Sequence, residues 1–296
     1  MNIEPSRRPS AGRIGVALIV AVFAVSCAAI FFRLAAPTHP VVMAGTRLAI
    51  AAILFAVPTV RSYRQGRLPP GHVKAAVIGG LWYALHFGTW VTSLTLTSVA
   101  ASVSLVTATP LILGLVALKT GRDRPSGRMW LSLAVVLIGL VVLGVEHGGD
   151  GGSGGELLGD GLALAGAAAM AGYMLLVRAQ GEELDPIAFS GVALAVGAAA
   201  LLSWSVVLGI PLEIPSARAG FWILMAALVP QLIGHTTLTW TLKYLPPTGV
   251  AIAAVSEPVV STLLGVVVLD EGVGRAAALG CGITIFGVAL AATQRR

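Results

Sequence analysis

Leu81–Pro110 reads LWYALHFGTWVTSLTLTSVAASVSLVTATP, and Gln231–Pro258 reads QLIGHTTLTWTLKYLPPTGVAIAAVSEP. Each stretch opens as an apolar helical run carrying a histidine and a tryptophan, passes a short polar break, and ends a second apolar run on a proline. His86 corresponds to His235, Trp90 to Trp240 and Pro110 to Pro258, about 148 residues on, and Gly139 to Gly287 at the same offset. The match is of pattern more than of identity. It reads as an internal repeat, whose meaning depends on the sequence around it.

Outward from these stretches the chain stays apolar: 56% of residues are hydrophobic and only 11% charged, with mean hydropathy +0.90. So little charge cannot cover the surface of a water-soluble domain, so an integral membrane protein is predicted. A hydrocarbon layer of ~30 Å needs apolar runs of about 20 residues. Ten are read: Ile14–Leu34, Val41–Val60, Val73–Leu96, Val99–Leu118, Met129–Val145, Leu157–Val177, Ile187–Ile210, Gly220–Leu242, Thr248–Leu269 and Arg275–Ala292. All are expected to be α-helices, because open strands leave backbone groups unpaired in lipid and barrel-type alternation is absent. The first, followed by nine more, is read as a retained helix and not as a cleaved leader.

The net charge of +6 does not point to nucleic acid, because the basic residues lie between apolar runs, where they set topology. Of the 19 Lys and Arg, Arg47 lies within a span, and Arg33, Arg218 and Arg275 fall on one side. The remaining 15, from Arg7 and Arg8 through Arg61, Arg64, Arg67, Lys119 and Arg178 to Arg295 and Arg296, fall on the other. Both termini are therefore expected in the cytoplasm. The glycine-rich run GGDGGSGG at Gly148–Gly155 lacks the GK[ST] ending of a phosphate loop and is read as a linker. Domains are thus expected at residues 1–147 and 157–296, five helices each, joined by 148–156. Five is odd, so halves sharing one fold must cross in opposite senses, as in the inverted repeats of secondary transporters. Cys27 and Cys281 sit in apolar runs and read as packing residues, with no metal or disulfide spacing.

Polar residues inside spans mark candidate sites, since they are costly there. Tyr83, His86 and Trp90 stand at i, i+3 and i+7 and share a helix face. Gln231, His235 and Thr239, at i, i+4 and i+8, form a similar face in span eight. These six residues are expected to bind substrate, with Trp240, Ser102 and Thr109 as further candidates; Ser98, Ser102 and Thr109 form a weaker small-polar stripe. Arg47, several residues inside span two, reads equally as a snorkelling residue, a structural donor or a substrate contact. Glu257 is the one acid at the centre of a span, where a charge costs at least ~2.5 kcal/mol, so it must be protonated, partnered or wetted. Pro258 frees a carbonyl one turn earlier that a protonated glutamate can satisfy. Glu257 is therefore a proton-coupling residue, a contact for a substrate amine, or the partner of a proline-broken helix.

Ala44-Gly45-Thr46-Arg47, Thr97–Pro110 with Leu111–Ala117, and Ser256-Glu257-Pro258 with Leu263-Leu264-Gly265 and Asp270-Glu271-Gly272 resemble the EamA family of the drug/metabolite transporter superfamily. The resemblance spans nearly the whole chain. It implies ten helices in two five-helix halves and movement of small metabolites or drugs across the bacterial inner membrane, commonly export of amino acids and related compounds. Many members carry an acidic residue after span four; here Lys119-Thr120-Gly121-Arg122-Asp123 offers only Asp123. No cofactor or metal is expected. The expected partners are a small-molecule substrate, the lipid bilayer and protons as coupling ion, with the chain a monomer. The expected substrate is neutral or zwitterionic, since no internal cluster of Lys or Arg offers itself to sugar phosphates or nucleotide sugars. A membrane-embedded enzyme would show paired aspartates, HExxH, or a serine with a base in reach, and none is present.

Overall fold

The computed structural model describes residues 9–97, 102, 105–145, 154–269 and 274–292. Ser98, most of the glycine-rich linker, Asp270-Glu271-Gly272 and the terminal arginines lie outside the described residues. No strand occurs among those described. The helices are α1 (Ala11–Leu34), α2 (Pro40–Arg64), α3 (Pro70–Leu96), α4 (Thr109–Thr120), α5 (Gly127–Val145), α6 (Gly154–Ala179) and α7 (Pro186–Val207). They continue with α8 (Ala217–Ala226), a π-helical segment (Ala227–His235), α9 (Thr236–Thr241), α10 (Pro247–Ala254), α11 (Glu257–Leu269) and α12 (Arg275–Ala292). Helix stands at each of the ten predicted spans. Six runs are long and apolar enough to cross a membrane by length and composition: α1, α2, α6, α7, α8 through α9, and α10 through α11.

Local sequence explains the boundaries. Prolines 40, 70, 186 and 247 begin their helices, where the missing N–H costs no hydrogen bond. Ser10, Asp185 and Ser216 accept from the backbone N–H three residues on, and Gly121 closes α4 with φ 75°. Three spans are not continuous α-helix; span four turns at Thr107 and Ala108 before α4 begins at Thr109. Span eight winds as a π-helix around Pro230, which has no N–H to give to the regular ladder. Span nine stops at Ala254 and restarts at Glu257, beside Pro258, which cannot donate; Val255 donates to both the Ala251 and Ile252 carbonyls and Ser256 to the Ala253 carbonyl in a tight turn. Glu257 is therefore the first residue of a half-helix and not the middle of a continuous one.

Glycines set the closest approaches. A Cβ on Gly80 of α3 would lie 2.6 Å from the Ala193 carbonyl oxygen of α7. On Gly45 it would meet Leu202 at 2.8 Å, which brings α2 onto α7. The contact of α5 with α12 is reciprocal in detail. At Gly139 a Cβ would fall 2.6 Å from Thr284 N and 3.0 Å from Gly280 O; at Gly287 it would fall 2.9 Å from Val136 N and 3.2 Å from Ser132 O. Gly139, Val136 and Ser132 map onto Gly287, Thr284 and Gly280 by the single offset of 148 seen in the sequence. Three further pairs of contacts match in the same way: α3 lies on α6 as the π segment lies on α1, α3 on α7 as the π segment on α2, and α4 on α6 as α11 on α1.

One end of the bundle is tied by polar contacts. Arg67 pairs with Asp185 at 3.1 Å, and the Ser62 hydroxyl also donates to Asp185. Arg178 pairs with Asp123 at 3.3 Å and donates to the Lys243 carbonyl at 3.0 Å, while Lys243 Nζ donates to the Leu184 carbonyl at 2.6 Å. Asp123, which the resemblance matched only loosely, is thus a latch between α4 and α6. Toward the opposite end, Thr97 Oγ1 donates to Asp160 at 2.8 Å.

Candidate functional site

A cavity of about 110 Å³ lies inside the bundle, where both proline-marked helix starts meet: Val106, Thr107, Thr109 and Pro110 from one half, and Ala254, Val255 and Glu257 from the other, contribute to its wall. Thr109-Pro110 and Glu257-Pro258, matched in the sequence at an offset of 148, each open a helix. A break ends the self-contained backbone ladder of a helix, and such irregular backbone at membrane depth is tolerated where it lines a cavity.

The face expected on α3 is assembled. Tyr83, His86 and Trp90 all line the cavity, joined by Phe87. His86 Nδ1 lies 2.9 Å from the Gly166 carbonyl oxygen, which can only accept, so Nδ1 carries the proton and a neutral ring keeps its lone pair on Nε2. The His86 and Trp90 rings lie near parallel, 14° apart with centroids at 6.1 Å. Tyr83 stacks on Tyr173 of α6 at 4.0 Å, and the Tyr173 hydroxyl shares a 2.8 Å hydrogen bond with Thr239. His235, at the end of the π segment, also lines the wall, edge-on to Phe87 at 5.7 Å. Thr109 donates to the Val106 carbonyl at 3.0 Å and the Ala167 carbonyl at 3.3 Å.

Other candidates lie apart. Gln231 is 1% exposed but points off the cavity, its Oε1 without a hydrogen-bond partner, because the π segment turns this part of span eight away from the regular i, i+4, i+8 face. Trp240 packs edge-on to Tyr244 at 5.1 Å outside the wall. Ser102 shares its hydroxyl with Ser93 in a buried pair, also off the cavity. Pro258 shapes the break without lining the cavity.

Arg47 does not snorkel. Its side chain is 0% exposed and lines the cavity, with Cζ 4.3 Å above the Phe87 ring centroid and 5.2 Å from that of Phe32. Phe87 and Tyr173 escaped the sequence reading. Phe87 is one turn from Tyr83 and was within reach of the stripe argument; Tyr173 sits in an Ala- and Gly-rich helix with no polar pattern to mark its face. Among the described residues no three His, Cys, Asp or Glu side chains come together as a metal-binding group.

Residues 157–293 match the profile of the EamA-like transporter family. The whole chain is similar in fold to a solved structure described only as "Crystal structure of protein", with TM-score 0.81 and 20% identity over 95% of this chain and 97% of that one. No curated protein matches the chain.

Proposed function

We propose that this chain, whose residues 157–293 match the EamA-like transporter family of the drug/metabolite transporter superfamily, is a secondary transporter exporting small neutral or zwitterionic metabolites, such as amino acids, related compounds or drugs, across the bacterial inner membrane. The two halves act as inverted five-helix repeats, and alternating access rocks one against the other about the central cavity. The observation that carries this reading is the cavity itself, which lies between the helix starts at Thr109 and Glu257 and is walled by aromatic faces. The reciprocal Gly139 and Gly287 contacts support the two-fold relation between halves.

Tyr83, His86, Trp90, His235 and Thr239 form the substrate surface, with Glu257 facing the same space. Glu257 is the one wall residue able to exchange a proton as a carboxylic acid, which makes it the candidate for coupling export to the proton gradient. Arg47 is the one Lys or Arg in the wall, which disfavours exchange of sugar phosphates or nucleotide sugars, whose two or more negative charges call for several cations. Comparing metabolites retained by a deletion strain with those released by an overexpressing strain tests the reading. A defined group of small metabolites should accumulate inside the first and outside the second. An unchanged profile in both strains would refute export.

A further inference from the structure

The polar groups of the cavity wall do not balance. Tyr173 and Thr239 satisfy one another, Thr109 is bonded to backbone carbonyls, and His86 Nδ1 is spent on Gly166. Among the wall's fully buried side-chain atoms, those left without a partner are all donors: Arg47 Nε, Nη1 and Nη2 and Trp90 Nε1. Glu257 belongs to the same wall, yet none of its oxygens satisfies the guanidinium. Ring faces, Phe87 and Phe32, flank the Arg47 cation and offer no lone pair to its N–H groups, while Glu257 acts on it through space without a hydrogen bond. A buried cation is retained at a cost unless something pairs with it. Here the missing component is an acceptor-bearing anion.

We propose that Arg47 anchors a carboxylate-binding site in this cavity, so that the occupant presents a single carboxylate, on a zwitterion or a simple acid, with an apolar or aromatic body that lies against Phe87, Tyr83 and Trp90. This rests on the reading of the cavity as the transport site and names the chemistry of what enters it. The guanidinium fork matches the two oxygens of a carboxylate, and Trp90 Nε1–H is a further donor on the same wall. A single cation neutralises one negative charge. A phosphate monoester, with nearly two, would leave charge unpaired in a space that also contains Glu257.

The test uses the full-length chain in lipid nanodiscs and three probes of one shape: 3-phenylpropanoate, 3-phenylpropanamide and 2-phenylethyl phosphate, with binding measured by calorimetry. The carboxylate should bind about 10- to 100-fold more tightly than the amide, the range for a hydrogen-bonded charge, and more tightly than the phosphate. Arg47→Gln should abolish the preference for acid over amide while leaving amide binding in place. Arg47→Lys should keep part of the preference. The empty Arg47→Gln protein should melt no lower than the unaltered one, because the guanidinium has no hydrogen-bond acceptor to lose and its burial is costly; a purely structural arginine would give a lower melting temperature. Equal binding of acid and amide, tighter binding of the phosphate, a preference that survives Arg47→Gln, or no binding of the carboxylate would each overturn the proposal. Should Arg47→Gln not accumulate in the membrane, the comparison of acid with amide on the unaltered chain still decides. The transport reading fails separately: Arg47-dependent binding of 3-phenylpropanoate without its movement into or out of proteoliposomes leaves the anion site standing and removes the transporter.

Discussion

His86 and Trp90 present parallel rings to the cavity, and neither fills a packed interior on that side. Truncating a side chain that borders empty space removes fewer contacts than truncating one in a close-packed core. His86→Ala and Trp90→Ala should therefore lower transport several-fold while the protein still reaches the membrane folded, as judged by monodisperse elution from a sizing column. Aggregation of both variants would return these residues to the core, and unchanged transport in both, with His235→Ala equally active, would remove the site. Glu257 admits a separate test. Glu257→Gln keeps the shape at the start of α11 and should fold; in proteoliposomes it should lose accumulation driven by a pH gradient while still exchanging substrate across the bilayer. Gradient-driven accumulation that survives intact makes Glu257 a structural residue of the helix break. Much of this wall was legible as a stripe of polar and aromatic residues at helical spacing. Arg47 was legible only as an arginine inside a span, because its burial depends on Phe87 and Phe32 from two other helices, which the sequence of α2 does not reveal.

Elements, not side chains alone, shape the site. The starts of α4 and α11 carry Thr109-Pro110 and Glu257-Pro258, and the prolines made these places visible in sequence as weak points. A proline says that a donor is missing, not how far the helix will part; the π turn around Pro230 shows the other outcome of the same chemistry and could not be told apart beforehand. The glycine pair at α5 and α12 was visible as a repeated residue, and its meaning came with the packing: each glycine faces the backbone of the other helix at distances no Cβ tolerates. Gly139→Ala and Gly287→Ala should each cost about 1–3 kcal/mol, the range for overpacking, and by similar amounts if the halves are equivalent. Gly15→Ala, with nothing within 4 Å of the added carbon, should be neutral or stabilising by up to ~1 kcal/mol through helix propensity. Melting temperatures in detergent compare the three. A large loss at Gly139 with none at Gly287 would break the equivalence.

At the scale of the molecule, the exposed surface is dominated by groups that water disfavours: Ile19, Phe23, Ile53, Val141, Leu157 and Val267 are all exposed on helix flanks. Such a belt suits lipid, and orientation within lipid is set by the basic residues at either end. The latches Arg67–Asp185 and Arg178–Asp123, with Lys243 on Leu184, bring together at one end segments that the charge count assigns to one side. We propose that this end is cytoplasmic. Gln65 lies in a segment at that end and Glu213 in the segment between α7 and α8; both are exposed, and five spans separate them, which places them on opposite faces. In a chain with Cys27 and Cys281 replaced by alanine, a cysteine introduced at Glu213 should react with an impermeant maleimide in intact cells. One introduced at Gln65 should react only after the membrane is opened. The converse pattern would reverse the molecule in the membrane and with it the direction assigned to each half. Labelling of both from outside would mean that an even number of crossings lies between them, and the inverted-repeat arrangement, which requires five helices in each half, would fail with it.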